Sequence, residues 1–290
     1  MTDAELPIDR SIVGRPFDPF TFTVTAERIA QYAAATNDPF PDHREGTAAP
    51  AVFAVLPVWD ANADALSRVI PAELLLQVLH GEQDIHLHRQ IRAGDELTSV
   101  ATLVGVHTKT SGTTPVVKID TTDADGALVA EQYFVTFLRG VSEGDSVGEP
   151  APPHVLPDDV KTTDPVEEIT QDIDPDQSLR YAPASGDMNP IHTDDDVARS
   201  VGLPGMINHG LCTMAFTSWA AVGELAGSDP SRLRRLAVRF SKPVIPGESI
   251  TTRFWALSDE SRPGVSVFGF ETTDPAGDVV VKDGRVELAG

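Results

Sequence analysis

The feature that most constrains what this chain can fold into is that it repeats itself. The run Tyr32-Ala33-Ala34-Ala35-Thr36-Asn37-Asp38-Pro39-Phe40-Pro41-Asp42-His43 is matched by Tyr181-Ala182-Pro183-Ala184-Ser185-Gly186-Asp187-Met188-Asn189-Pro190-Ile191-His192, 149 positions on. Residues 92–97 pair with 245–250 at an offset of 153, and 121–126 with 272–277 at 151. Three matches in one order at near-constant spacing mean two copies of one structural plan. Between them, residues 141–170 are rich in Pro, Asp and Glu and lack a sustained period. That composition suits an ordered or semi-rigid linker. The expected organisation is an N-terminal repeat over 1–140, the linker over 141–170, and a C-terminal repeat over 171–290.

Each copy reads in the same order. A short helical segment comes first (26–35 and 175–184), then the loop bearing an acid and a histidine. In the second copy a long helix is expected from about His209 to Ala226, with Leu211, Met214, Ala215, Trp219, Val222 and Leu225 leaving almost no polar face, so it should be buried. Strands follow at 234–240, 249–257, 265–272 and 279–288, where apolar and β-branched residues alternate with polar ones. Asp274-Pro275-Ala276-Gly277 marks a hairpin turn, with Asp123-Ala124-Asp125-Gly126 as its counterpart. A buried helix wrapped by an antiparallel sheet, twice over, is an α+β architecture.

Composition removes several function classes. The net charge of −22 argues against nucleic acid, since holding phosphates needs surplus Lys and Arg, and it disfavours an acidic carrier protein as partner. A local basic cluster, Arg232, Arg234, Arg235, Arg239 and Lys242, is either a holder of a small polyanion or a solvated strand edge with defensive charges. The single cysteine, Cys212, excludes an internal disulfide and fits a reducing compartment. Met1-Thr2-Asp3-Ala4-Glu5-Leu6-Pro7 has neither a basic start nor an apolar run, and no stretch has the length to span a bilayer. The expectation is a cytoplasmic protein without a membrane partner.

Asp187 and His192 carry the chemistry. Gly-Asp-x-Asn-Pro is poor helix material, so the acid and the imidazole should sit on a loop that folds back and aims both at one water. Asn189 offers a neutral amide to orient the water or the carboxylate, and Gly210 stands where a helix N-terminus would present free N–H groups to an oxyanion. The bland alternatives are that Asp187 caps a turn and His192 is a structural hydrogen-bonder, or that Asp187, His192, Asp194 and His209 bind a metal, although no metal motif is matched. Cys212 reads as a small core residue, Asp194-Asp195-Asp196 as a solvated helix start, and His86 and His88 as surface residues on one face of a strand.

The run 181–192, then Pro204, His209-Gly210-Leu211-Cys212-Thr213, Val238-Arg239-Phe240-Ser241-Lys242-Pro243 and Pro246-Gly247 resembles the MaoC-like hydratases, in particular the (R)-specific 2-enoyl-CoA hydratases of the hydratase 2 type. In the first half, Leu79-His80-Gly81-Glu82-Gln83 and Lys109-Thr110-Ser111-Gly112 extend the resemblance more weakly. It implies a double hot-dog fold and reversible conversion of trans-2-enoyl-CoA to (3R)-3-hydroxyacyl-CoA. It implies Asp187 and His192 as the catalytic pair, helped by Asn189 and the Gly210 N–H, with His80, Gly81, Lys109, Phe240 and Arg239 as the residues that bind the CoA ester. Acyl-CoA is then a substrate, and neither a metal nor another cofactor is required. Rival readings are a 3-hydroxyacyl-ACP dehydratase, an acyl-CoA thioesterase, and a non-catalytic acyl-CoA binding subunit.

The first copy keeps Asp38 and His43 but has Asn37 for Gly186 and Phe40 for Asn189. Aligning Pro50 with Pro204 places Val55 and Leu56 where His209 and Gly210 stand. This copy is expected to be catalytically dead, its interior left for the acyl chain, with one active site per chain in a groove between the halves. The two halves form the equivalent of a dimer, which leaves room for further homodimerisation.

Overall fold

A computed structural model describes residues 8–258 and 263–290, so the N-terminal stretch 1–7 lies outside the described residues. The first half runs β1 (Phe20–Thr23), α1 (Ala26–Ala35), α2 (Pro41–Arg44), a 3-10 turn (Ala51–Val55), α3 (Trp59–Val69), a second 3-10 turn (Ala72–Gln77), then β2 (Val78–Leu87), β3 (Glu96–Lys109), β4 (Gly112–Thr122) and β5 (Leu128–Arg139). After β6 (Val147–Gly148) and a 3-10 turn (Val160–Thr162), the second half repeats the order: β7 (Glu167–Asp172), α4 (Gln177–Ser185), a 3-10 turn (Pro190–His192), α5 (Asp195–Ser200), α6 (Gly210–Leu225), a 3-10 turn (Pro230–Arg232), β8 (Leu233–Phe240), β9 (Ser249–Leu257), β10 (Val265–Thr273) and β11 (Val279–Ala289).

The sheet order is β1-β3-β4-β5-β2-β8-β11-β10-β9-β7, with β6 added beside β3. Each half contributes five antiparallel strands in the same relative order, and β2 against β8 joins them into one continuous surface. The duplication reaches single bonds. Gly94 N–H donates to Val24 O at 2.8 Å, and Gly247 N–H donates to Ile173 O at 2.9 Å. Asp123 and Asp274 each turn their hairpin with a side-chain oxygen that accepts two backbone N–H groups. Gly126 and Gly277 close these turns at φ 81° and 85°, a conformation that favours glycine.

In the second half α6 is nearly all buried, from Leu211 to Val222, as its apolar content requires. In the first half the equivalent element is broken into the turn Ala51–Val55 and α3, and Val52, Phe53, Ala54 and Val55 are all buried. At the pseudo-twofold axis α1 meets α4: the Tyr32 and Tyr181 hydroxyls lie 3.2 Å apart, and their rings pack edge to face at 5.6 Å.

Three expectations need correction. Strand β7 begins at Glu167, inside the expected linker, and pairs with β9 as β1 pairs with β3. The basic cluster is neither an edge nor a free anion site. It lies on and beside β8, a central strand, where Arg235 is held by Asp84 and Glu287, Arg239 by Glu82 and Asp283, and Lys242 by Asp278. Arg232 and Arg234 donate to backbone carbonyls. Finally, Pro50 does not correspond to Pro204. Pro50 precedes its helical turn at φ −56°, ψ 150°, as His209 precedes α6 at φ −62°, ψ 136°. The residues just before them, Ala49 and Asn208, both donate to the loop ahead of the next strand, at Ile91 O and Val244 O. Pro50 and Ala51 therefore stand where His209 and Gly210 stand. The second copy carries extra residues between its His192 and its helix, and α5 is among them, so a sequence alignment without that insertion slips by five.

Candidate active site

The acid–His loop is shaped by its own residues. Gly186 ends α4 in the left-handed region, φ 85°, and its N–H bonds Ala182 O. Pro183 sits inside α4, and Pro190 opens the next 3-10 turn, so the chain cannot continue as one helix. Asp187 accepts the backbone N–H of Asn189 at 3.1 Å through Oδ1. Asn189 in turn accepts the Ile191 N–H at 3.3 Å, capping the turn that carries His192. The Asn189 side-chain oxygen is thus spent on the loop, and it is its backbone N–H that orients the carboxylate.

His192 is buried, and its Nδ1 donates to Ile207 O at 2.8 Å. With the proton on Nδ1, Nε2 offers a lone pair. Burial pulls the His192 pKa below its ordinary value against the opposing influence of the Ile207 carbonyl and Asp187, so the ring is neutral near pH 7. A carboxylate oxygen of Asp187 and a ring nitrogen of each of His192 and His209 lie within 4.8 Å of one another. A water that makes two hydrogen bonds of about 2.8 Å at a tetrahedral angle spans about 4.6 Å. The His192 and His209 rings stack at 3.8 Å and 24°.

The sequence offers His209 as a candidate metal ligand, as the start of the buried helix and as part of the run before Leu211, but with no role beside Asp187 and His192. In the structure its Nε2 donates to the Asp187 backbone oxygen at 3.0 Å, and Tyr181 packs on it at 4.9 Å. Burial, then the adjacent His192, hold its pKa down to about 3. Gly210 opens α6, and His209 supplies no side-chain cap, so the first-turn N–H groups remain open to a ligand. A Cβ at Gly210 would lie 3.1 Å from the Phe240 ring.

The first half reaches this centre through β2. A bulge falls between His80 and Glu82, and Gly81 is its extra residue. A Cβ there would lie 3.2 Å from Val135 O. The bulge re-aims His80 into the junction, where its ring stacks on Phe134 at 5.4 Å and meets the edge of Phe240 at 5.2 Å. Burial lowers the His80 pKa to about 4, against opposing influences that include Asp187. Asp187, His192, Gly210, Phe240, His80 and Gly81 thus form one neighbourhood between the halves. Lys109 stands apart, exposed at the β3–β4 turn, beyond β4 and β5 from β2. Arg239 borders the neighbourhood, but its guanidinium is engaged by Glu82 at 2.8 Å and Asp283 at 3.2 Å.

The other candidates have structural roles. Asp194 caps α5, accepting from Asp196 and Val197 N–H. His86 lies 3.1 Å from Asp84 and His88 2.9 Å from Glu131. Cys212 is buried in α6, and burial pushes its thiol pKa up to about 12. In the first half the acid–His pair is closed: His43 Nδ1 bonds Asp38 Oδ2 at 2.9 Å, and both residues are 2% exposed. Phe40 packs edge-on against the His43 ring at 5.5 Å. Asp38→Asn is therefore expected to leave catalytic activity within about threefold while costing roughly 3 kcal/mol of stability, read by initial rates and urea unfolding.

Residues 158–269 match the MaoC like domain, and residues 11–132 match the FAS1-like dehydratase domain region. The chain is 36% identical over 222 residues to 3-hydroxyacyl-thioester dehydratase Y of Mycobacterium tuberculosis, covering 72% of each protein. It is 29% identical over 185 residues to a probable enoyl-CoA hydratase 2 of Dictyostelium discoideum, covering 63% of this chain and 62% of that one. The crystal structure of a MaoC-like dehydratase from Phytophthora capsici superposes with a TM-score of 0.85 at 25% identity, over 98% of both chains. With the duplicated sheet, the buried helix and the acid–His loop at its N-terminus, these matches identify the chain as a hydro-lyase of the MaoC-like hydratase and dehydratase family, built on the double hot-dog fold.

Proposed function

We propose that this protein reversibly hydrates trans-2-enoyl-CoA to (3R)-3-hydroxyacyl-CoA, using one water held between Asp187 and His192. The observation that carries this reading is a carboxylate and a neutral imidazole, each oriented by a backbone group, spaced for a single water. The water donates one hydrogen bond to the Asp187 carboxylate and one to His192 Nε2. Its oxygen bonds to Cβ as one of these groups takes its proton, and that group, now protonated, passes the same proton to Cα, so the water's oxygen and both its hydrogens end in the product. Between those events negative charge gathers on the thioester oxygen. The Gly210 N–H at the start of α6 is the donor for that oxyanion; losing such a donor typically costs about 3 kcal/mol of transition-state stabilisation.

His80, Gly81 and Phe240 border the thioester, and Lys109 is available further out to the CoA phosphates. The reaction requires neither a metal nor a redox group. The (3R) hand follows from the resemblance to hydratase 2 enzymes. A cytoplasmic location and a homodimer belong to the same proposal, the first resting on the lone Cys212. No helix among the described residues is long and apolar enough to cross a membrane.

The test is the loss of enoyl-thioester absorbance with a short and a long trans-2-enoyl-CoA, with free thiol monitored in parallel. Loss without thiol supports hydration; thiol release would assign a thioesterase. Silence with CoA esters but turnover of a carrier-bound ester would assign a carrier-protein dehydratase. The pH dependence follows from His192. The base form is needed for hydration, and burial lowers its pKa, so kcat/KM should hold its plateau below pH 6.5 and fall only as the pH drops through the lowered value. A pH–rate profile with its acid limb above 6.5 would contradict this.

A further inference from the structure

The duplication supplies an internal comparison of what an acid and a histidine five residues apart do by themselves. In the first copy the two groups bond directly: His43 Nδ1 meets Asp38 Oδ2 at 2.9 Å. In the second copy the same nitrogen turns instead to a backbone carbonyl, His192 Nδ1 to Ile207 O at 2.8 Å. Both carboxylates are oriented alike, each accepting the N–H two residues on. The difference lies in what touches the ring.

On His43 the neighbour is the edge of Phe40, at 5.5 Å and 80°. On His192 it is the face of His209, at 3.8 Å and 24°. His209 also grips the acid, since its Nε2 donates to the Asp187 backbone oxygen at 3.0 Å. The equivalent oxygen in the first copy, on Asp38, accepts from Arg44 Nε at 2.7 Å, so it is held by a group that lies on no ring. The place of His209 is taken there by Pro50, which has no side-chain donor.

We infer that His209 is a positioning residue: its stacked ring and its bond to the Asp187 carbonyl hold His192 off the Asp187 carboxylate and so keep the gap that one water fills. Without it, the loop would close as the first copy has closed: His192 Nδ1–H would turn to an Asp187 carboxylate oxygen and take the acceptor that the water needs. Tyr181 supports the stack from the other side, with its hydroxyl against that of Tyr32. His209 does not compete for the proton, since burial and the neighbouring His192 keep it neutral. The titratable groups that face His192 are Asp187 and His209, with Tyr181 behind His209 and His80 within the influence of Asp187.

The inference deepens the acid–base reading and rests on it for its catalytic consequence, yet its structural core can be read without turnover. The experiment is NMR titration of the His192 imidazole in wild type, His209→Val, His209→Phe and the double variant His209→Val with Asp187→Asn, alongside kcat and KM. In His209→Val the ring is expected to collapse onto Asp187, carrying its pKa above the ordinary 6.5, while kcat falls about 100-fold and KM stays within about threefold. The double variant should lose that rise. His209→Phe restores the stacked ring but not the bond to the Asp187 carbonyl, so His192 should titrate nearer to wild type than in His209→Val; this variant decides the matter if the valine variant does not fold. A rise that stops at 6.5 would report solvent entry alone and overturn the inference, as would an unmoved titration in His209→Val or one raised as far in His209→Phe. If the titrations move as expected but Asp187→Asn leaves hydration intact, the proposed function fails and the positioning role stands.

Discussion

Asp187→Asn is expected to lower kcat for enoyl-CoA hydration by roughly 10³-fold with little change in KM, and His192→Ala by a similar factor. The amide keeps the shape of the side chain and can still accept the Asn189 N–H that the carboxylate oxygen accepts at 3.1 Å. What it loses is the charge that takes or returns a proton. The alanine variant loses the only imidazole whose Nδ1 is fixed on Ile207 O, and with it the Nε2 acceptor. Because both groups act on one water, the double variant should be hardly slower than either single one. Rates with a saturating trans-2-enoyl-CoA, and Tm values to show that the variants fold, check this directly. Multiplicative losses would mean that the two residues act in separate steps.

The second large effect is on stability, at the seam between the halves. Arg235 of β8 reaches Asp84 of β2 with two hydrogen bonds, at 3.0 and 2.8 Å, and Glu287 of β11 at 3.3 Å. It also donates to Pro153 O, tying the connecting segment across the seam. Arg235 is 6% exposed, Asp84 1% and Glu287 0%, so these charges are cut off from water. Arg235→Met leaves the Asp84 carboxylate without its guanidinium, with His86 3.1 Å away. The expected loss is about 4 kcal/mol, or about 10 °C in Tm for a domain of this size. Replacing Asp84 as well, by Leu, should recover much of it, because two packed apolar groups avoid the desolvation cost that the ion pair must offset. Differential scanning calorimetry of the two variants decides it. A fall of under 1 kcal/mol in Arg235→Met would show that the seam is held by its backbone ladder alone.

Much of the fold was legible because its signals are local. The helix over Ala26–Ala35, the buried helix after His209 and the strand runs were set by residues whose period, caps and turn chemistry act within a few positions. Repetition then multiplied that evidence. The seam was not legible, because the pairing of Arg235 with Asp84 spans 151 positions and no periodicity encodes it. Five basic residues near one strand therefore read as an anion holder or a guarded edge, when the carboxylates that neutralise several of them lie on strands from both halves. The correspondence of Pro50 with His209 was missed for a related reason. The insertion that contains α5 shifts the register of the repeat, and only the backbone bonds of Ala49 and Asn208 reveal it.

At the site, Asp187, His192 and Gly210 stood out because Gly, Asp, Pro and His leave few conformations open to the loop and helix start. His209 did not, since a histidine at a helix N-cap is chemically ambiguous until its stacking on His192 is seen. Asn189 reads in the sequence as a group that orients the water or the carboxylate; in the structure its side-chain oxygen caps the turn and its backbone N–H bonds the Asp187 carboxylate. The His80 bulge required knowledge of the register against β5.

The most direct test of the central claim is hydration in ¹⁸O-labelled water, with mass and chiral analysis of the product. The account predicts one ¹⁸O atom at the C3 hydroxyl of a (3R)-3-hydroxyacyl-CoA, with the thioester intact. Label in a free carboxylate, with CoA released, would mean that water attacks the carbonyl carbon instead of Cβ and would contradict it.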